Sequence, residues 1–235
     1  MEVLNIINVT KRFGEFIAVD SVSFSIEEGK GPIAIIGPNG AGKTTLINVI
    51  TKKLNPDKGR IFFYGKEITK LKPEHITKLG LVRTFQNVNI YPSLTVEENI
   101  MLTSLFSKSL KTKAYDIIEM LGLTPYRNRK AGALPFGVQK LIELGIALAL
   151  KPKTLILDEP AAGLTYEERK RLVGILKDIG ETIPLIIVEH DMDVVFNLAN
   201  EIIVMNKGKI IATGKTSEIA NNKVVREIYL GEEYA

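Results

Sequence analysis

The chain has 235 residues, of which 45% are hydrophobic and 25% charged, as expected for one globular domain. Its 31 basic and 27 acidic residues leave a net charge of +4, which suits phosphate-bearing ligands or an anionic membrane surface but is a weak signal for either. The absence of cysteine excludes disulfides, thiolate nucleophiles and Cys-ligated zinc, and with two isolated histidines any bound metal must have oxygen ligands.

The start of the chain predicts its location and its first sheet. Residues 1–5 show no basic region followed by an apolar one, so nothing marks the chain for secretion and we expect it to stay in the cytoplasm. Polar and apolar residues interleave over residues 3–9 and 19–26, which predicts strands of a half-exposed antiparallel sheet. The chain shows no repeat and no long linker, which indicates one domain over residues 1–235.

A glycine-rich loop follows the next predicted strand, Ile33–Ile36, and matches the phosphate-binding pattern G-x-x-x-x-G-K-[ST], called Walker A. Its glycines let backbone N–H groups face a phosphate, and a helix predicted from about residue 43 to 50 directs its positive end to the same place. Lys43 should reach the β- and γ-phosphates, and Thr44 should offer its hydroxyl to Mg²⁺. The alternative is a glycine-rich turn without a ligand. The candidate nucleotide-binding residues are Gly37, Pro38, Asn39, Gly40, Ala41, Gly42, Lys43, Thr44 and Thr45.

Helical patterns dominate from about residue 92 to residue 150, where strand signals vanish. We interpret this segment as a helical subdomain inserted into the domain. Continuous apolar runs at residues 33–36, 154–157 and 185–188 instead predict a parallel sheet that is covered on both faces. None of these runs is long enough to cross a bilayer. Ligands should lie beyond the carboxyl ends of the parallel strands.

Two carboxylates, Asp158 and Glu159, follow the apolar run at residues 154–157 and form a Walker B pattern. Charge at the end of a buried strand is costly unless it serves a cation or a reaction. We therefore predict that Asp158 holds Mg²⁺ through a water bound to the ion, and that Glu159 orients or deprotonates the attacking water. The alternative is that both residues only cap the following helix.

Two further polar residues, His190 and Gln86, are open to more than one interpretation. His190 follows the apolar run at residues 185–188, but a lone histidine is more often structural than catalytic. Gln86 follows a predicted strand and could bind Mg²⁺ or water, or could be an ordinary loop amide. His75 lies in a polar segment and is interpreted as a surface residue.

The Walker A loop, Gln86, Asp158, Glu159 and His190, in this order, resemble the nucleotide-binding domain of ABC ATPases over about residues 3–230. The resemblance implies further roles, which are listed here: Phe13 stacks on adenine, Thr45 lies near the α-phosphate, Gln86 is the Q-loop glutamine, His190 bonds the γ-phosphate, and residues 161–164 are the D-loop. In more detail, the sequence is similar to that of branched-chain amino acid importer ATPases at residues 82–86, 159–164, 189–192 and 228–232. Lipopolysaccharide-export ATPases share some of the last stretch.

The resemblance implies a P-loop NTPase core of the RecA-like α/β class, with an N-terminal antiparallel β subdomain and the inserted helical subdomain. It also implies Mg²⁺-dependent ATP hydrolysis, a second ATPase subunit, membrane permease subunits and attachment to the inner face of the cell membrane. ABC ATPases of DNA repair carry a long coiled coil and those of the ribosome carry two cassettes in one chain, and this sequence has neither. P-loop kinases and GTPases lack the combination of Gln86, Asp158, Glu159 and His190. No nucleic-acid partner is therefore expected.

Two places carry predictions about partners. The family signature, usually Leu-Ser-Gly-Gly-Gln, falls on residues 134–138, where Pro135 replaces the serine and Phe136 a glycine. Pro135 offers no hydroxyl and no N–H, so only Gly137 and the helix predicted from about residue 138 can meet a phosphate. We predict a weakened signature and a heterodimer with one fully competent site. The alternative is a homodimer, which would have the weakened signature at both sites. The apolar residues at 87–92 predict the groove that receives a permease helix.

Overall fold

The computed structural model describes residues 1–84, 88–102 and 111–231, which form two sheets with helices packed on them. The first sheet is antiparallel, in the order β2-β1-β4-β5. Its strands are β1 (Glu2–Phe13), β2 (Phe16–Glu27), β4 (Lys58–Phe63) and β5 (Lys66–Glu67). Buried and exposed residues alternate over much of β1 and β2, so the prediction of a half-exposed antiparallel sheet is confirmed.

The second sheet has the order β10-β9-β3-β8-β7-β6 and is parallel except for its edge strand β10. Its strands are β3 (Ile33–Ile36), β6 (Leu81–Arg83), β7 (Thr154–Asp158), β8 (Leu185–Val188), β9 (Glu201–Asn206) and β10 (Lys209–Lys215). Neighbours in space are far apart in sequence, because β3 lies between β8 and β9. The carboxyl ends of β3, β7 and β8 therefore meet at one edge, as the apolar runs predict.

Helices cover both faces of the parallel sheet and connect its strands. They are α1 (Lys43–Ile50), α2 (Pro73–Leu79), α3 (Val96–Met101), α4 (Lys111–Met120), α5 (Phe136–Ala149), α6 (Tyr166–Gly180), α7 (Met192–Leu198), α8 (Thr216–Ala220) and α9 (Lys223–Gly231). Helix α1 has the predicted bounds, whereas α5 begins at Phe136, two residues before its predicted start. The residue at its N-cap is Pro135, which needs no N–H partner there and has a backbone angle that suits a helix entry.

Two large hydrophobic clusters lie on opposite faces of the parallel sheet. Along β8, Leu185 and Ile187 face the cluster shared with α5 and α6, whereas Ile186 and Val188 face the cluster shared with α1 and the antiparallel sheet. A strand buried on both faces must be apolar at every position, which explains the continuous apolar runs. The helices of residues 92–150 share the first cluster with β7 and β8. The inserted subdomain and its bounds stay a prediction.

In the part of the chain that the structure describes, no helix combines the length and the apolar character that crossing a bilayer requires. His75 lies exposed on α2, in agreement with its interpretation as a surface residue.

Candidate functional site

The glycine-rich loop lies between the carboxyl end of β3 and the start of α1. Two of its glycines are fixed by close backbone approaches. A Cβ on Gly37 would lie 2.2 Å from the carbonyl oxygen of Met205, and one on Gly42 would lie 2.3 Å from that of Ala18. Gly42 also has φ of +99°, which side chains disfavour. The neighbouring strands therefore hold this loop in a shape that only glycine permits at these two positions.

Lys43 folds back onto the loop that precedes it. Its ammonium donates to the carbonyl oxygens of Gly37 at 2.5 Å and Pro38 at 3.0 Å, and the residue is only 8% exposed. A positive charge therefore stands at the loop together with the N-terminus of α1, and this combination attracts a phosphate. The other loop residues differ in access. Asn39, Gly40 and Thr44 are exposed, Pro38, Gly42 and Thr45 are half-buried, and Gly37 and Ala41 are buried.

Phe13 lies in the hairpin that joins β1 to β2, where it pairs with Phe16. Its ring is partly exposed, and the Lys11 ammonium lies 5.7 Å from the ring centre. Ala18 lies two residues after Phe16, and its carbonyl group lies close to Gly42. This hairpin is therefore beside the glycine-rich loop. The arrangement leaves an aromatic face close to the loop.

Asp158 is the last residue of β7 and is 3% exposed. Its Oδ2 accepts a hydrogen bond from Arg83 Nη2 at 2.6 Å, and Arg83 Nη1 donates to Asn48 Oδ1 of α1, also at 2.6 Å. A buried carboxylate needs such a partner, since the cost of desolvating its charge is several kcal/mol. The role of Arg83 was not predicted from the sequence, because its partner lies 75 positions away along the chain.

Glu159 and His190 meet at this edge from neighbouring strands. Glu159 follows β7 in the left-handed backbone region, with φ of +48°, and His190 follows β8. The distance from His190 Nδ1 to Glu159 Oε1 is 3.9 Å, and the His190 side chain is largely exposed. The structure thus brings together two residues that are 31 positions apart in the sequence. A carboxylate and an imidazole at this spacing can share a water or a phosphate oxygen.

Two buried ionic residues next to Glu159 were also missed. Lys140 of α5 donates to the carbonyl oxygens of Glu159 and Pro160 at 3.0 and 3.2 Å. Glu189 accepts from the backbone N–H of Ala161 at 2.8 Å and of His190 at 3.1 Å. No sequence pattern indicated Lys140. Glu189 directly follows the apolar run at residues 185–188, and an acidic residue at that place could have drawn attention to it.

Comparisons with known proteins agree with this geometry. The family model described as "ABC transporter" matches residues 19–162, which is more than half of the chain. The chain belongs to the ABC transporter family of ATP-binding proteins. As a member of this family it is an ATPase whose hydrolysis of ATP is coupled to transport.

Individual relatives match nearly the full chain. The probable branched-chain amino acid transport ATP-binding protein LivG of Methanocaldococcus jannaschii is 41% identical, over 99% of this chain and 98% of the relative. BraF of Pseudomonas aeruginosa, a high-affinity branched-chain amino acid transport ATP-binding protein, is 35% identical over 98% of each chain. The crystal structure of an ABC transporter cassette in its ADP conformation is 38% identical, with a TM-score of 0.88, over 98% of this chain and 99% of that one.

The signature segment of this ABC ATPase differs from the phosphate loop in its surroundings. The Phe136 ring lies on the D-loop, where a Cβ on Gly163 would be 3.0 Å from Phe136 Cε1. Gly137 is covered by Glu168, since a Cβ there would lie 2.3 Å from Glu168 Oε1. Both the ring and the carboxylate therefore lie at the start of α5, where the family signature would meet a phosphate.

The structure describes only part of the segment that contains Gln86 and the predicted permease groove at residues 87–92. Gln86 lies outside the described residues, and so does Asn87, the first residue of the predicted permease groove. Of the rest, Tyr91 is 60% exposed, but Ile90 packs against the hydrophobic cluster of α5 and α6. Tyr91 is therefore a better probe of a permease contact than Ile90.

Proposed function

We propose that this ABC ATPase energises the import of branched-chain or related amino acids through separate membrane permease subunits. The family model described as "Branched-chain amino acid ATP-binding cassette transporter" matches residues 209–235. The full-length relatives named above carry that cargo in their names. The observation that carries the catalytic part of the proposal is the meeting of Glu159 and His190, 3.9 Å apart, at the sheet edge that also bears the phosphate loop.

In the proposed reaction, the loop N–H groups surround the phosphates and Lys43 donates to β- and γ-phosphate oxygens. The carbonyl bonds of Lys43 to its own loop already hold the ammonium at that place, so little reorganisation is needed. Phe13 stacks on adenine and Thr45 donates near the α-phosphate. Glu159 takes the proton of the attacking water, while His190 bonds the γ-phosphate. Gln86 is assigned by sequence alone as a contact for water and metal.

The residues at this edge also fit Mg²⁺, our proposed cofactor. Thr44 and Asp158 supply hydroxyl and carboxylate oxygens, which are the ligands that Mg²⁺ prefers. Among the described residues no group of three or more His, Cys, Asp or Glu side chains could hold a metal by itself. ATP oxygens and water would therefore complete the coordination, as is usual for this ion. An Mg²⁺ ion held by these residues would neutralise negative charge on the phosphates.

We further propose that the working assembly contains a second, different ATPase subunit and permease subunits at the inner face of the membrane. A single phosphate loop leaves the γ-phosphate open to bulk water, and a second subunit would exclude that water. A dimeric ATP-binding cassette bound to ADP and phosphate, 26% identical with a TM-score of 0.80, shows that related cassettes form dimers. The covered signature of this chain favours a partner whose own signature is complete.

Uptake by proteoliposomes tests this function. The liposomes would contain the full chain, the permeases that co-purify with it, any second ATPase subunit and any other protein recovered with them. We expect ATP-dependent accumulation of radiolabelled leucine, which stops when the chain carries Glu159→Gln. ATP-dependent extraction of lipid or lipopolysaccharide, without leucine uptake, would instead favour an exporter.

A further inference from the structure

The turn that carries Glu159 has an unusual backbone. Glu159 is a non-glycine residue at φ +48°, a conformation that persists only where surrounding contacts hold it. Its N–H donates to the Val188 carbonyl at 2.9 Å, and its carbonyl accepts from the Ala162 N–H at 3.2 Å. These two bonds join the turn to β8 and to itself. The rest of the turn is held by two buried ionisable side chains, Lys140 and Glu189.

Lys140 holds the turn from the side of α5. Its ammonium is the donor to the Glu159 and Pro160 carbonyl oxygens, at 3.0 and 3.2 Å, and the residue is 7% exposed. Burial lowers the pKa of Lys140, while the negative charges of Glu143, Glu189 and Glu159 oppose this shift. The Phe136 ring lies 5.6 Å from the ammonium and shields it further. A buried ammonium at two backbone carbonyls restrains their positions strongly, because charge-assisted bonds are short and directional.

Glu189 holds the turn from the opposite side. The residue is fully buried, and its Oε1 accepts from the Ala161 N–H at 2.8 Å. Its Oε2 accepts from the N–H groups of His190 at 3.1 Å and Asp191 at 3.4 Å. One carboxylate therefore joins the turn of Glu159 to the backbone of His190. Any relative movement of the two would break one of these bonds.

We propose that Lys140 and Glu189 are positioning residues for ATP hydrolysis, which together fix the Glu159 turn and its distance to His190. The proposal rests on the proposed role of Glu159. Lys140 belongs to α5, whose first turn carries Gly137 of the signature. A shift of this helix therefore moves the carbonyl group of Glu159, and the signature surface is linked mechanically to the catalytic turn of the same chain.

The test is single-turnover hydrolysis of γ-³²P-ATP by the full chain, together with ATP affinity and thermal unfolding. Lys140→Met keeps the length and apolar stem of the side chain but removes both bonds. We expect it to slow hydrolysis by about 10- to 100-fold, as small misplacements of reacting groups do. Affinity should change by less than about threefold, since the bonds end at the Glu159 turn. Lys140→Arg, which can still donate to both carbonyls, should recover much of the rate.

A matched control separates positioning from folding. Lys52 is also buried, and its ammonium donates to the Thr69 carbonyl at 2.5 Å, away from the Glu159 turn. Lys52→Met should lower the unfolding temperature without slowing hydrolysis. If Lys140→Met behaves like Lys52→Met, or keeps a rate within about twofold of the unmodified chain, Lys140 has no positioning role. Glu189→Gln keeps the shape but loses one acceptor, and should slow hydrolysis by about tenfold.

A double-mutant cycle distinguishes this inference from the role of Glu159 itself. If Lys140 acts through Glu159, Lys140→Met should slow hydrolysis little further in a chain that already carries Glu159→Gln. Equal slowing in both backgrounds would overturn the positioning role. Normal hydrolysis by Glu159→Gln alone would refute the proposed base instead, whatever Lys140→Met does.

Discussion

The helices α1 and α5 both begin at a glycine-containing segment that the ABC family uses to bind phosphate, yet their N-termini differ. At α1, Lys43 stands at the loop and Gly40 has open space beside its α-carbon. At α5, the Glu168 carboxylate lies over Gly137, and the Phe136 ring lies against Gly163 of the D-loop. The comparison teaches that a helix N-terminus binds an anion only where its surroundings leave space and add positive charge. These surroundings support our proposal that the loop before α1 binds phosphate, whereas the signature at the start of α5 is obstructed at Gly137.

The largest expected effect comes from changing Glu159, the proposed base at the edge of the parallel sheet. Glu159→Gln removes the proposed base but keeps its size and its place in the turn. We expect hydrolysis to fall by about 10²- to 10⁴-fold, the usual contribution of a positioned base, with ATP binding preserved. Phosphate release and nucleotide affinity would be measured on the same preparations, and an ATP-bound dimer should accumulate in gel filtration. Normal turnover would exclude Glu159 as the base.

Lys43→Ala should weaken the binding of ATP at the glycine-rich loop. It removes charge-assisted bonds to the phosphates, each worth about 1.5–3 kcal/mol, so ATP affinity should fall by at least about tenfold. Titration calorimetry measures this directly, with Lys52→Ala as the control for loss of a buried lysine. Unchanged affinity in the Lys43 variant would contradict its contact with the phosphates.

The residues around the glycine-rich loop and Glu159 show how much of the candidate site could be predicted from the sequence. The phosphate loop and Asp158–Glu159 were predictable because each lies in one continuous segment, with its strand and helix beside it. The pairing of Arg83 with Asp158, and of Lys140 and Glu189 with the Glu159 turn, was not, since each partner lies on another element. Single-sequence patterns report local periodicity, whereas a buried charge chooses its partner through tertiary packing. The obstruction of Gly137 by Glu168 was missed for the same reason.

Restoring the family residues of the signature should raise the activity of the second phosphate segment. Pro135→Ser returns a hydroxyl, and Phe136→Gly uncovers the D-loop. The double variant should hydrolyse ATP about tenfold faster than the unmodified chain, as expected for one regained charge-assisted bond. Because Phe136 also shields Lys140, Pro135→Ser alone should be compared with the double variant. A homodimer that turns over rapidly, with no gain from either variant or from the second ATPase subunit, would refute both the weak signature and the heterodimer.

The smallest expected effect concerns the buried carboxylate that joins the Glu159 turn to His190. Burial raises the pKa of Glu189, and the N–H groups of Ala161, His190 and Asp191 oppose that shift only in part. The ionisable side chains that face it are Lys140 from α5 and His190 beside it. As pH rises above the ordinary glutamate value of 4.5, the unfolded chain loses this proton first, while the folded chain keeps it. The stability that Glu189 contributes is therefore full at low pH and is lost as pH rises through the folded-state value.

Glu189→Gln removes this loss, so its unfolding temperature relative to the unmodified chain should rise by a few degrees between acidic and neutral pH. Glu98 offers a control of opposite sign, because hydrogen bonds from Thr95 lower the pKa of Glu98. The stability that Glu98 contributes is present above its ordinary pKa and is lost as pH falls. The unfolding temperature of Glu98→Gln relative to the unmodified chain should therefore fall as pH rises. Thermal unfolding of the three chains across this range measures both slopes. Parallel curves for Glu189→Gln and the unmodified chain would show that Glu189 ionises in the folded state as it does in the unfolded chain, and that its burial carries no electrostatic cost.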